Sequence, residues 1–314
     1  MPAELLFDLT LILLLLGLAG AALHTRTLYT SIVLFIVFGL MLALTWARLG
    51  AVDLALAEAA IGAGLIGVML LAALARSAAE PNTQPARVPL SISLLLAVLV
   101  LALLIRAIQP LADSNSVLPA LVDTHLDESG VSHPVTAVLL NFRAWDTLLE
   151  LVVLLLALIG VRQLGRSGMA LPPAWPLLRA WSQMLAPLTI IVGGYLLWRG
   201  SHAPGGAFQA GAVLAAGAVM LRLAGLLPAI RWSRWPVRAL MLGGVATFAL
   251  VAVGTHWMGA GWLNYPPGWS KQLILLIEIT ATLSIATSLT VLVIGENEHP
   301  TPERKITRPT KTAS

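Results

Sequence analysis

The sequence predicts an all-α, polytopic membrane protein with about nine transmembrane helices in groups of three, two and four. Three observations carry this expectation. The 314 residues are 58% hydrophobic and only 11% charged, where a soluble domain carries roughly 25% charged residues. Mean hydropathy is +0.88, and the apolar residues fall into runs long enough to cross a bilayer as helices. The basic residues collect on alternate connecting loops, the pattern that membrane insertion imposes. A water-soluble globule is excluded. The absence of cysteine excludes a disulfide framework, thiolate metal ligation and a cysteine nucleophile.

A helix crossing the hydrocarbon core needs about 20 apolar residues, because each backbone donor and acceptor must be satisfied within the segment. Nine segments qualify: Leu5 to Leu23, Leu28 to Ala47, Asp53 to Ala75, Val88 to Ile108, Trp145 to Val161, Leu185 to Trp198, Gly205 to Leu227, Val237 to Trp257 and Leu273 to Ile294. The sixth is short. The first has Glu4 and Asp8 at its head and no small-residue cleavage site after it, so it reads as a span rather than a cleaved signal.

Pooling alternate loops places fourteen Lys and Arg on one side and five on the other. By the positive-inside rule the N-terminus faces outward and the C-terminal tail lies in the cytoplasm of a cell inner (plasma) membrane protein. Two connectors divide the spans. Ser77 to Arg87 is polar, with Pro81 and Pro85, and Arg166 to Trp181 is rich in proline and tryptophan. The expected units are 1–80 with three spans, 88–166 with two, 182–295 with four, and a disordered tail at 296–314. Within the second unit, Val131 to Asn141 is expected to lie along the interface as a short amphipathic piece, entered through His133 and Pro134.

Ionisable groups inside the spans cost about 2.5 kcal/mol or more, so each is a candidate for function. Glu58 follows Asp53 by five residues, in a small-residue stretch with Gly62 and Gly64 that permits close helix approach. Asp146 and Glu150 share one helix face, with Arg143 one turn earlier. This triple reads either as an interfacial ion-pair network or as a relay. Glu278 lies deepest in its span, and Lys271 is two turns earlier on the same face. The hydroxyls of the last span, Thr280 to Thr290, read as packing contacts to backbone carbonyls. Ser201 to Gly211, SHAPGGAFQAG, lacks the residues of a phosphate loop. It reads as a bent loop giving close backbone packing, with His202 as a titrating group. No histidine pairs with another ligand at metal-binding spacing, so neither metal nor cofactor is expected.

With these residues in place, the chain resembles a fusion of subunits of the Mrp-type multisubunit Na⁺/H⁺ antiporter, whose relatives occur in membrane-bound hydrogenases. DLALAEAAIGAGLIGVMLLAAL, Asp53 to Leu74, is similar to the three-span domain at the C-terminal part of the large A-type Mrp subunit, which also occurs as a separate small hydrogenase subunit. SHPVTAVLLNFRAWDTLLELVVLLLALIGV, Ser132 to Val161, is similar to the two-span element that follows it. LTIIVGGYLLWRGSHAPGGAFQAG, Leu188 to Gly211, resembles the opening of the four-span MnhB-type domain. Ala207 interrupts the family's PGGGF run, and Glu278 stands where an Asp–Gly–Val opening is commoner.

The resemblance implies an accessory, non-enzymatic subunit of a complex that exchanges Na⁺ or another monovalent cation for protons, with other antiporter subunits as partners and no nucleic acid. It places Glu58 on an intramembrane glutamate of the ion route and matches Asp146 and Glu150 to the family's DTxxE acids. Glu278 completes the expected ion pathway, with Asp53, Arg143, His202 and Lys271 in support. Two alternatives stand beside it: an ion-translocating subunit of a membrane-bound hydrogenase or related respiratory complex, and a purely structural membrane scaffold.

Overall fold

The computed structural model describes residues 2–76, 89–112, 117–163, 174–228, 230–259, 261–266 and 268–295. The regular structure among them is helical. Helices α1 (Pro2–His24) and α2 (Leu28–Arg48) form a hairpin. The third crossing is broken into α3 (Val52–Ala57), a π-helical segment (Glu58–Leu65) and α4 (Ile66–Arg76). Next come α5 (Leu90–Ala112), α6 (Leu118–His125), and α7 (Pro134–Ala137) running into a second π segment, Val138–Phe142. The remainder is α8 (Ala144–Gln163), α9 (Pro176–Arg199), α10 (Ala207–Leu223), α11 (Trp235–Trp257) and α12 (Ser270–Ile294).

Among the described residues, eight helical stretches are long and apolar enough to cross a membrane, which makes this a polytopic membrane protein. The expected seventh span is shorter than its apolar run. It begins at Ala207 because Gly206, at φ +116 and ψ −171, takes a conformation essentially confined to glycine. Its 17 residues rise about 25 Å, at the lower limit for a crossing. The sixth is longer than expected, 24 residues rather than a short segment. Arg179, Ser182 and Gln183 depress its hydropathy, yet the helix starts at Pro176, where proline's fixed φ suits the first turn. The Ser182 hydroxyl, buried, donates to Leu178 O at 2.7 Å.

Helix α12 is the axis of the fold and is buried along most of its length, with Ile277 and Ile285 fully enclosed. Helices α8, α10 and α11 pack around it, and α9 packs on α10. Helix α10 and the first π segment join this bundle to the α1–α4 unit. The Gly39–Ala63 contact brings α2 against that π segment, and Gly67 of α4 lies under Ile36. The described side chains of α5 from Ser91 to Gln109 are all exposed, an arrangement that lipid tolerates and water does not.

The piece expected along the interface is instead folded into the protein. Val131, Ala137 and Leu140 belong to the main core, and the buried Thr136 hydroxyl donates to Gly200 O at 2.5 Å. Small side chains and one hydroxyl let this backbone approach its neighbours, so burial rather than a solvated polar face holds it. The hydroxyls of α12 behave as read: Thr282 donates to Glu278 O at 2.7 Å, Thr290 to Ala286 O, and Ser284 reaches across to Met241 O. The expected linker, Ser77 to Arg87, and the tail from Glu296 lie outside the described residues.

Candidate functional site

The turn from α9 to α10 creates the site. Gly200 and Gly206 cross so closely that a Cβ on Gly200 would stand 2.7 Å from the Gly206 Cα. The Gly206 amide donates to Leu196 O at 3.0 Å, folding the SHAPGG segment back on the end of α9. Helix α10 then starts beside α12, α8 and α3. Between these elements lies a cavity of about 330 Å³. Its walls are mainly apolar, but they bring together Asp53 from α3, Glu150 from α8 and Glu278 from α12. No Lys or Arg lines it among the described residues.

Asp53 is the joint between three segments remote in sequence. Its Oδ2 accepts from His133 Nε2 at 2.9 Å, and its Oδ1 accepts the Gly205 amide at 3.1 Å. Both side chains are largely buried, 17% exposed for Asp53 and 13% for His133. The backbone reinforces the joint, because Ser132 and His133 amides both donate to Ser201 O. The Gln209 amide reaches Asp53 O at 3.5 Å and borders the same cavity.

Glu278 is only 2% exposed, and no described side chain pairs with its carboxyl. The carboxyl lies against the Gly200–Gly206 crossing, 3.2 Å from where a Gly200 Cβ would stand. It shares the cavity with Gly206, Ala207 and Phe208 at the start of α10, the helix end that carries unsatisfied N–H groups and partial positive charge.

The other expected residues are placed apart. Glu58 is half-buried at the start of the π segment, with its carboxyl packed over Gly62, and it does not line the cavity. The wall from that crossing is Asp53, Leu54, Ala57 and Ile61. A π segment carries an extra residue per turn and re-aims side chains, often at functional sites. Asp146 is ion-paired to Arg143 Nη2 at 2.5 Å, with both side chains well exposed. His202 is exposed, its ring tilted against Trp198 with centroids 5.6 Å apart. Lys271 opens onto a separate polar cleft with Asp127 and Glu128 rather than toward Glu278. Sequence reading missed Gln209 and the role of His133. Both lie in motifs that the sequence singled out, but only the tertiary contact between those motifs identifies them.

Comparison with known proteins agrees with this two-part construction. Residues 177–298 match the family described as a domain related to the MnhB subunit of Na⁺/H⁺ antiporter. Residues 13–79 match the MbhD family, the D-type subunit of MBH. No curated protein matches the chain. The fold is similar to a chain of the Mrp complex from Dietzia sp. DQ12-45-1b, with a TM-score of 0.73 and 22% identity, covering 93% of this chain and 35% of that one. It is also similar to a chain of the membrane-bound sulfane sulfur reductase, an archaeal respiratory membrane complex, with a TM-score of 0.53 and 25% identity, covering 65% of this chain and 97% of that one. The region that matches the MbhD family thus contains Asp53, and the region that matches the MnhB-related family contains Glu278, in a single polypeptide.

Proposed function

We propose that this chain is a membrane subunit of an Mrp-type multisubunit cation/proton antiporter, contributing an intramembrane carboxylate pathway and subunit contacts, without catalysis of its own. The observation that carries this reading is the cavity at the junction of the two domains, where Glu278 is buried without a cationic partner beside Asp53 and Glu150. A carboxylate so placed holds either a proton or a mobile cation, because bare charge in such surroundings is prohibitively costly. Competition between the two for the same oxygen is the chemistry of exchange. Na⁺ or another monovalent cation and H⁺ are the cargo.

In this reading the buried Glu278 is the deepest point of the route, the more exposed Glu150 borders the same cavity, and Asp53 holds its wall together. Asp146, one turn before Glu150 on α8 and paired with Arg143, stands at its mouth. Glu58, outside the cavity, passes charge along the π segment to a neighbouring chain of the complex. His202 and Lys271 serve the surface next to the route. The loop charges support a plasma-membrane orientation with the N-terminus outside and the C-terminus cytoplasmic.

Copurification from native membranes, followed by dye-based exchange in everted vesicles, tests the reading. Other antiporter subunits are expected with the chain, and exchange is expected only from the assembled complex. Exchange by the isolated chain contradicts the accessory role. The MbhD match and the similarity to a chain of a respiratory complex favour one second reading, an ion-translocating subunit of a respiratory complex. Copurifying redox subunits in place of antiporter subunits decide for it.

A further inference from the structure

Two polar side chains converge on one point of the cavity, and only one of them has a part in the route described so far. Gln209, on the first turn of α10, is 9% exposed, and Glu278 is 2% exposed. A Cβ built on Gly206 would stand 3.6 Å from Glu278 Oε1 and 3.8 Å from Gln209 Oε1. Outside Gly206 and the two residues adjoining it, these oxygens are the only described atoms within 4 Å of that point. The backbone there, at φ +116, calls for glycine. The missing side chain leaves the space between the two oxygens open.

The Gln209 amide is oriented by its other end. Its Nε2 reaches Asp53 O at 3.5 Å, and because a carbonyl oxygen takes only a donor, this contact turns the amide oxygen the other way. Neither Gln209 Oε1 nor the Glu278 carboxyl has a hydrogen-bond partner among the described residues. The two hydroxyls on the walls have their protons committed elsewhere, Thr136 donating to Gly200 O and Thr147 to Leu139 O. The cavity therefore presents mainly oxygen lone pairs, with no Lys or Arg among its described lining residues. Amide, hydroxyl and carboxylate oxygens are hard ligands that replace the water around a cation. The positive end of α10 opposes a cation by about half a unit charge, less than the full unit on an ionised Glu278. Glu150 is exposed and borders the same cavity, so the cavity is not sealed at that wall.

We propose that Gln209 and Glu278 together hold a dehydrated monovalent cation at the point beside Gly206, with Gln209 Oε1 as the neutral ligand that sets how tightly the ion is held. This rests on the ion-pathway reading and adds a second ligand to it. One buried carboxylate balances one positive charge, which fits a monovalent ion. Glu278 alone changes protonation during exchange. Gln209 stays a lone-pair donor throughout, so it governs cation binding more than turnover.

Cation/proton exchange by the assembled complex in everted vesicles, measured at one pH in separate Na⁺ and K⁺ concentration series, tests this. Gln209→Leu removes the oxygen at similar size. It is expected to raise the half-saturating concentration of the exchanged ion about tenfold, with the maximal rate kept within about twofold. Gln209→Glu adds charge at the same place and is expected to lower that concentration by about threefold or more. Half-saturation within about twofold of the unaltered complex in both variants overturns the proposal. So does a fall in maximal rate at unchanged half-saturation, the mark of a side chain kept only to brace Asp53 O. If neither variant assembles, crystals of the unaltered complex soaked in Tl⁺ decide. Anomalous density bridging the two oxygens is expected, and density on Glu278 alone, or none, overturns the proposal. Reduced exchange in Glu278→Gln with both Gln209 variants unchanged leaves the route in place and removes this assignment alone. Exchange untouched by Glu278→Gln, or exchange of neither ion by the unaltered complex, removes both.

Discussion

Asp53, in the region that matches the MbhD family, and His133, eighty residues later, share a hydrogen bond of 2.9 Å, and the same carboxylate accepts the amide of Gly205, in the region that matches the MnhB-related family, at 3.1 Å. One side chain thus ties the two matched regions to the segment between them. A charge-assisted bond in a largely buried setting contributes about 1.5–3 kcal/mol. Asp53→Asn and His133→Ala are each expected to lower the thermal midpoint of the purified protein. Their double variant is expected to be less destabilised than the sum of the two, with a coupling of at least about 0.5 kcal/mol. Strict additivity in a double-mutant cycle removes the joint from the account.

Glu278 and Asp146 separate the route from its surroundings. Glu278 is 2% exposed and unpaired, whereas Asp146 is 45% exposed and held by Arg143. Glu278→Gln keeps the shape and removes the exchangeable proton, so cation/proton exchange in everted vesicles is expected to fall at least tenfold with assembly retained. Asp146→Asn is expected to change it by no more than about threefold, because an exposed ion pair contributes at most about 1 kcal/mol. The reverse ranking moves the route to the surface of α8.

The sequence made the spans legible because lipid demands uninterrupted apolar runs, and eight of the nine expected crossings correspond to full-length helices. It misjudged α9 and α10 because hydropathy averages over residues and ignores ends. Pro176 starts a helix through polar residues, and Gly206 delays one past an apolar start. The acids Glu150 and Glu278 were readable as costly residues in spans. Their meeting with Asp53 in one cavity was not, since it depends on the glycine crossing at Gly200 and Gly206 and on contacts between segments far apart in sequence. The π segment at Glu58 was equally hidden, because Gly62 and Gly64 weaken a helix without specifying which hydrogen-bond pattern replaces it.

That glycine crossing is testable. Gly206→Ala puts a side chain at φ +116, at a cost of about 1–3 kcal/mol, and is expected to lower the thermal midpoint and reduce exchange together. Gly62→Ala acts differently. Its Cβ would collide with the Glu58 carboxyl, a side chain that is able to move. Overpacking costs about 1–3 kcal/mol when neighbours are fixed, so a smaller loss is expected here, with exchange reduced out of proportion to stability. Equal effects at both glycines mean that Glu58 is held for packing alone.

Tyr265 provides the last test, at the loop before α12. Its phenol donates to Leu140 O at 2.7 Å, pinning the second π segment beneath that loop. Burial holds the phenol's pKa above its ordinary value, so it stays a neutral donor throughout the working pH range. Tyr265→Phe leaves the ring and removes the donor, stranding a buried carbonyl at a cost of about 1–3 kcal/mol. The variant is expected to show a lower thermal midpoint and faster amide hydrogen exchange in residues 138–142, with cation/proton exchange retained below its new midpoint. Because the tyrosine does not ionise in that range, the difference in midpoint between Tyr265→Phe and the unaltered chain is expected to be the same at pH 6 and pH 9. A difference that disappears on going to the alkaline condition contradicts the neutral-donor assignment.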